Sequence, residues 1–347
     1  SFFLRDINKK YPVYIPEYKV IVTDADDKRS FDKIVENINS TKGFSRLEEY
    51  KQAPEESFEN AAQSTRDMKC VTWLGISRDI RIFEAGSRLT SGMNSNDNVY
   101  MFASDPWDWV KPKYHKDYVT VPELGDKSIS YNYFAGRGLG CIQGLERWLE
   151  EGILPVLNAR HTDDDVFYES KMFVTLENNT LTEDRVEGTN ILVADHYSSA
   201  SMLTEDQKAE MDKIHDREIY KEEETVIYIR ISVINKARAP RYSWVRIPQA
   251  NVFVNPGESR FTSTYNSEKG YGSFSDESVY MVATLNGEPV PQQEMAVLLM
   301  PGESIEYIFK IPHQPISAKR AAELAEQDYT EHFKACKNFW MNKISKM

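Results

Sequence analysis

Four aromatic residues, Trp107, Trp109, Tyr114 and Tyr118, fall in one short stretch with Asp105, Asp108 and Lys111 among them. Flat rings stack on the C–H faces of pyranose sugars, and flanking polar groups satisfy hydroxyls, so this mixture points to carbohydrate binding. The competing reading is that Trp107 and Trp109 fill the edge of a packed sheet. Glycosidic bond hydrolysis calls for two carboxylates about 5 to 9.5 Å apart. With 54 Asp and Glu in the chain, the order of residues alone does not single out such a pair.

Metal and cofactor chemistry find less to work with. His115, His161, His196, His215, His313 and His332 stand apart, none three to five residues from another, so no metal is expected. His161 and His196 lie near predicted strand ends, where a site could assemble in space. Asp163-Asp164-Asp165 could hold a hard cation, but reads more simply as a polar turn. Glu222-Glu223-Glu224 reads as a solvated strand entry. Gly136-Arg137-Gly138-Leu139-Gly140 lacks the spacing of a dinucleotide fingerprint, and no P-loop, His-Glu-x-x-His, Gly-x-Ser-x-Gly or EF-hand pattern occurs. No cofactor is expected.

The elements that must position these residues read as strands. Ile227, Ile229, Ile231 and Val233 alternate with Tyr228, Arg230 and Ser232, the period-two pattern of a strand. Met295 to Met300 is an apolar run. It is followed by Pro301-Gly302-Glu303-Ser304, and then Ile305, Tyr307, Phe309 and Ile311 alternate with polar residues. Pro then Gly suits the centre of a type II turn, so a hairpin is predicted. The same four residues recur at Pro256-Gly257-Glu258-Ser259 as a reused turn. Further strands are predicted at 14–23, 79–84, 98–103, 153–159, 166–176, 190–195, 242–252 and 277–285. Short helices are predicted at 30–38, 54–62 and 204–216. Many strands without regular helical alternation give a mainly β fold: a large two-sheet antiparallel β-sandwich with short helical insertions.

From Ser317 the character changes. Ala325, Tyr329, Phe333, Cys336, Trp340, Ile344 and Met347 recur at spacings of three and four, one continuous stripe of an amphipathic helix with Ser317 as its N-cap. The predicted organisation is a β domain over residues 1–316, in which 1–66 form a partly helical N-terminal extension, and a linker helix over 317–347. Tyr329, Phe333, Phe339 and Trp340 are the residues expected to dock against a neighbouring domain.

The 347 residues carry 42 Lys and Arg, which gives a net charge of −12. So acidic a chain lacks the electrostatic footprint for nucleic acid or anionic membrane. No apolar run approaches the ~20 residues of a membrane span, so no membrane insertion is expected. Cys70, Cys141 and Cys336 are too few and scattered for a disulfide scaffold. The chain starts at Ser1 on a polar segment, consistent with a removed leader or a trimmed start, and a periplasmic or secreted location is favoured over a cytoplasmic one.

Three stretches carry a family resemblance. Thr72-Trp73-Leu74-Gly75-Ile76-Ser77-Arg78-Asp79-Ile80-Arg81-Ile82-Phe83-Glu84 reads like a front-end strand motif of large sandwiches. Leu149-Glu150-Glu151-Gly152-Ile153-Leu154-Pro155 with Val166-Phe167-Tyr168-Glu169 reads like a hairpin of the same kind. Met300-Pro301-Gly302-Glu303-Ser304, then Phe309-Lys310-Ile311-Pro312, then a helix ending Phe339-Trp340, reads like its closing strands and linker. Together they resemble the N-terminal supersandwich domain, galactose-mutarotase-like in fold, of glycoside hydrolases and phosphorylases with an (α/α)6 barrel, the six-hairpin glycosidases. The resemblance implies a linker that leads to a C-terminal (α/α)6 catalytic domain bearing the acid and base. It implies an oligo- or polysaccharide as ligand.

Three readings stand side by side. The first is a non-catalytic module that supports a downstream glycosidase barrel. The second is a stand-alone, lectin-like carbohydrate-binding sandwich. The third is a mutarotase-like enzyme using a His and a carboxylate on a concave face, which requires His161 and His196 to line one open groove.

Overall fold

In a computed structural model of the chain, residues 7–41, 71–77, 79, 81–87, 108–114, 119–121, 127–137, 142–182, 204–207, 209–210, 213, 223–255, 258–261 and 263–346 are described. The strands predicted at 98–103 and 190–195 and the helix predicted at 54–62 lie outside them. Two units separate, residues 1–58 and 59–347. In the first, β1 (Val13–Ile15) and β2 (Val20–Val22) pair antiparallel across a short 3-10 turn at Pro16–Tyr18. The single strand predicted over 14–23 is therefore a small hairpin, because proline cannot donate to a sheet ladder. Helix α1 (Phe31–Thr41) follows, and Phe31 meets Tyr14 edge-on with ring centroids 5.9 Å apart.

The second unit is mainly β and antiparallel. Its strands in order are β3 (Thr72–Gly75), β4 (Arg81–Ser87), β5 (Asp108–Tyr114), β6 (Thr120–Val121), β7 (Lys127–Ala135), β8 (Ile142–Glu150), β9 (Leu154–Asp163) and β10 (Val166–Leu176). There follow β11 (Thr225–Asn235), β12 (Arg241–Asn255), β13 (Glu258–Phe261), β14 (Thr264–Asn266), β15 (Tyr271–Ser273), β16 (Val279–Leu285), β17 (Glu288–Pro289), β18 (Glu294–Leu299) and β19 (Ser304–Pro312). One sheet runs β14-β15-β16-β19-β11-β10-β9-β8, with β17 on β16. The other runs β13-β12-β7-β5-β4-β3, with β18 on β12 and β6 on β7.

The sheets face each other as a sandwich, with alternate side chains of each strand turned inward. Ile227, Ile229, Ile231 and Val233 of β11 are fully buried, as are Tyr307, Phe309 and Ile311 of its neighbour β19. From the opposite sheet Tyr131 stacks on Tyr280 at 5.1 Å, and the Tyr133 hydroxyl lies 3.8 Å from Met172 Sδ. The β18–β19 hairpin turns at Pro301–Gly302, where Gly302 takes φ +78° and Glu303 N–H donates to the Met300 carbonyl, as the turn chemistry predicts. Asn235, fully buried at the end of β11, anchors this turn. Its Nδ2 donates to the Ala239 and Leu299 carbonyls, and its Oδ1 accepts from Ala237 N. Asn235→Ala is expected to cost about 1–3 kcal/mol by leaving buried backbone groups unpaired, a loss that a urea titration reads directly.

The C-terminal segment is two helices, not the single one predicted. α2 (Ala318–Ala325) is capped by Ser317, whose side chain accepts from Arg320 N, as expected. It stops at Glu326, and Asp328 caps α3 (Tyr329–Ile344) by accepting from Glu331 N. The buried face of α3 is Tyr329, His332, Cys336 and Phe339, so the predicted row holds at Tyr329 and Cys336, while His332 and Phe339 take the buried places expected for their neighbours Phe333 and Trp340. The cause is the surface beneath it. Phe173 and Tyr228 on the outer face of β10 and β11 receive Tyr329 edge-on and the His332 ring stacked. Among the described residues no helix is long and apolar enough to cross a membrane.

Candidate functional site

The predicted sugar-binding aromatics do not form one patch. Trp107 and Tyr118 lie outside the described residues. Trp109 and Tyr114 both belong to β5, a strand the sequence does not predict, and five positions apart on a strand means opposite faces. Tyr114 points between the sheets, where its hydroxyl accepts from Gln314 Nε2 at 2.7 Å and its ring meets His313. Burial pushes its phenol up from the ordinary value. Trp109 turns outward and lies flat against Gly86 of β4; a Cβ at Gly86 would stand 2.3 Å from the indole.

Strand register then assembles a different set on the outer face of the smaller sheet. Trp73 of β3, Glu84 of β4 and Lys111 of β5 stand side by side, with Trp109 and Lys113 one step along β5 in either direction. Lys113 Nζ is 3.3 Å from a Glu84 oxygen and 5.0 Å from the centre of the Trp73 ring. Lys111 Nζ is 4.8 Å from the centre of the Trp109 ring. Glu84 and Lys113 are buried, whereas Trp73 keeps 51% of its surface exposed. A buried ion pair thus supports an indole presented to solvent. Further along the same face, Tyr242 and Trp244 of β12 are 56% and 42% exposed, their ring centres 6.5 Å apart. From strand and residue spacings the distance from Trp109 to Trp244 is roughly 19 Å.

Two acid–base groupings are enclosed instead. At one end of the sandwich, Glu223 and Glu224 are not the solvated entry the sequence suggests. Glu223 caps the chain after β10, accepting from Asn178 N, Asn179 N and Asn179 Nδ2. Glu224 is 6% exposed, with an oxygen 3.8 Å from Arg81. Arg81 forms a two-point pair with Asp79 and donates to the Glu223 carbonyl at 2.6 Å, tying β4 of one sheet to the entry of β11 in the other. Glu177 accepts from Glu224 N at 3.0 Å and pairs with Arg320 of α2. Burial, only partly offset by Arg81 and Arg320, pushes the Glu224 carboxyl up to about 7.

At the other end His161 Nε2 lies 3.5 Å from Asp108, both buried between the sheets, and Arg147 donates to the Ala85 carbonyl beside them. His161 therefore does not line an open groove, and His196 and Glu222 lie outside the described residues. The Asp163–Asp165 turn is matched by arginines: Arg137 pairs with Asp163 and Asp164, and Arg241 reaches Asp165 at 3.4 Å. Asp163 is buried, so this turn is polar but not wholly solvated. Among the described residues no cluster of His, Cys, Asp or Glu has the arrangement to hold a metal.

The expected docking residues are turned largely onto their own domain. Tyr329 and Phe339 are buried. Phe333 and Trp340 are half-buried against the core, with Lys171 Nζ 4.5 Å from the Phe333 ring centre.

The fold and this face define a mainly β, two-sheet antiparallel sandwich with an aromatic and charged outer surface. No protein-family profile matches the sequence, and no curated protein matches it.

Proposed function

We propose that the chain is a non-catalytic β-sandwich module of a carbohydrate-active enzyme, supporting a downstream catalytic barrel and contacting glycan over the outer face of its smaller sheet. The observation that carries this reading is the exposed Trp73 indole, held beside the buried Lys113–Glu84 pair and near Trp109 under Lys111. A pyranose stacks its C–H face on such a ring, and the half-buried Lys111 ammonium on the same face is placed to meet its hydroxyls. The enclosure of Glu224 and of the His161–Asp108 pair supports a structural role for them over acid–base catalysis, since a general acid must reach its substrate.

Isothermal titration against a panel of oligosaccharides tests the proposal. Trp73→Ala is expected to weaken binding about tenfold or more, equivalent to ~1.4 kcal/mol, while the thermal midpoint stays near that of the wild type because the ring is half in solvent. Silence of the whole panel, or unchanged affinity in both Trp73→Ala and Trp109→Ala, rejects the glycan face. Turnover of aryl glycosides at enzyme-like rates rejects the non-catalytic assignment.

A further inference from the structure

The two C-terminal helices meet over a polar point on the outer face of the nine-stranded sheet. Lys310 rises from the outer face of β19, and its Nζ donates to the carbonyls of Leu324, Ala325 and Gln327 at 2.8, 2.9 and 2.6 Å. These are the last carbonyls of α2 and the link to α3, so one ammonium closes the C-terminus of the first helix and holds the junction to the sheet. His332, in the first turn of α3, fills the next place. One ring nitrogen lies 3.3 Å from Thr175 Oγ1 and the other 3.2 Å from Gln327 Oε1. Its ring stacks on Tyr228 at 5.3 Å, and Lys310 Nζ lies 5.6 Å from the centre of that same ring.

We propose that the α2–α3 arm is an acid-released strap: protonation of His332, which shares the Tyr228 ring with the Lys310 ammonium, loosens the arm from the nine-stranded sheet. The neutral imidazole satisfies this pocket fully, accepting from one neighbour and donating to the other. A second cation brought under the arm faces Lys310 from β19, while Asp328 and Glu331 on its own helix and Glu223 beyond the end of β10 partly compensate. Burial first, and Lys310 second, hold the His332 imidazole below its ordinary value. The sign follows. A base whose docked pKa is lowered leaves docking intact above the ordinary histidine value near 6.5, and the undocked arm binds more protons as the pH falls below it. Acid therefore favours opening, which uncovers Phe173 and Tyr228. The device works whether or not the opposite sheet binds glycan.

Amide hydrogen exchange of the full chain, corrected for intrinsic rates, is the test. Between pH 7.5 and pH 5, amides over 318–344 should lose protection several-fold while β10 and β11 keep theirs. His332→Gln, which retains hydrogen-bonding groups without the titration, should abolish that loss. Proton NMR titration of His332 in the unaltered chain provides a readout that needs no variant: its protonation should track the opening. Arm protection independent of pH, an equal loss in His332→Gln, or a His332 titration at the ordinary value with the arm unmoved would each overturn the proposal.

Discussion

Arg81→Met is expected to lower the unfolding free energy by about 3–5 kcal/mol, the cost of leaving buried carboxylates without their cation. Arg81 and Asp79 are both almost wholly buried, and the guanidinium makes two hydrogen bonds to Asp79, at 3.1 and 2.8 Å. Its remaining reach crosses the sandwich to the Glu223 carbonyl and to Glu224. Methionine keeps the length of the side chain, so packing loss is small and the charge loss dominates. What remains is the Asp79 carboxylate without its cation in a dry interior, beside a Glu224 that keeps its proton more firmly, with a backbone carbonyl newly orphaned. Asp79→Asn alone should cost less, because Arg81 keeps the Glu223 carbonyl and Glu224 can give up its proton to pair with it. The double variant should cost less than the sum of the two, since the residues share one network. Urea midpoints read all three. A cost below about 1 kcal/mol for Arg81→Met would mean that water enters this end of the sandwich and screens the cluster as it screens a surface pair.

How far these features were legible in the sequence depends on the range of the interaction behind each. Period two exposes β11 at once, because Ile227, Ile229, Ile231 and Val233 all face one core. Ser317 and the Pro301–Gly302 turn are likewise local, and both behave as their chemistry predicts. β5 was hidden because both its faces are burdened: Val110 and Pro112 look inward while Trp109, Lys111 and Lys113 look out, and charge and proline mask the alternation. Parity would have separated Trp109 from Tyr114 once the strand was known. The break at Asp328 is subtler, since the apolar spacing runs through it and only the cap chemistry of Asp328 with Glu331 marks it. The Glu223–Glu224 cluster had no local signal. Arg81 is 142 residues away from Glu223, and only the closure of two sheets brings them together.

Glu224→Gln should stabilise the protein at alkaline pH and alter its whole pH profile. Glu224 is the surplus anion of its cluster, since Arg81 is already matched by Asp79 and Arg320 by Glu177. With its carboxyl raised from 4.5 to about 7, the folded state holds a proton that the unfolded chain has released. Stability contributed by this group is therefore full below about pH 4.5 and lost as the pH climbs through 7, by about 3 kcal/mol at 1.36 kcal/mol per unit. His313, enclosed nearby between Phe83 and Tyr114 with its Nε2 3.1 Å from the Lys113 carbonyl, acts in the opposite sense. Burial lowers it to about 4, so its contribution is full above 6.5 and lost as the pH falls to 4. Over pH 4.5 to 6.5 the two slopes oppose and nearly cancel, which leaves the wild type flat where each group alone would tilt it. Glutamine copies the protonated carboxyl at every pH, so the variant should show the His313 limb uncovered: a rise of about 3 kcal/mol from pH 4 to 6.5 and then a plateau through pH 8. The gap between variant and wild type should accordingly widen steadily from pH 4.5 to 8 in urea titrations. Parallel curves over that range would mean that Glu224 is ionised in the folded protein throughout, with Arg81 and Arg320 outweighing its burial.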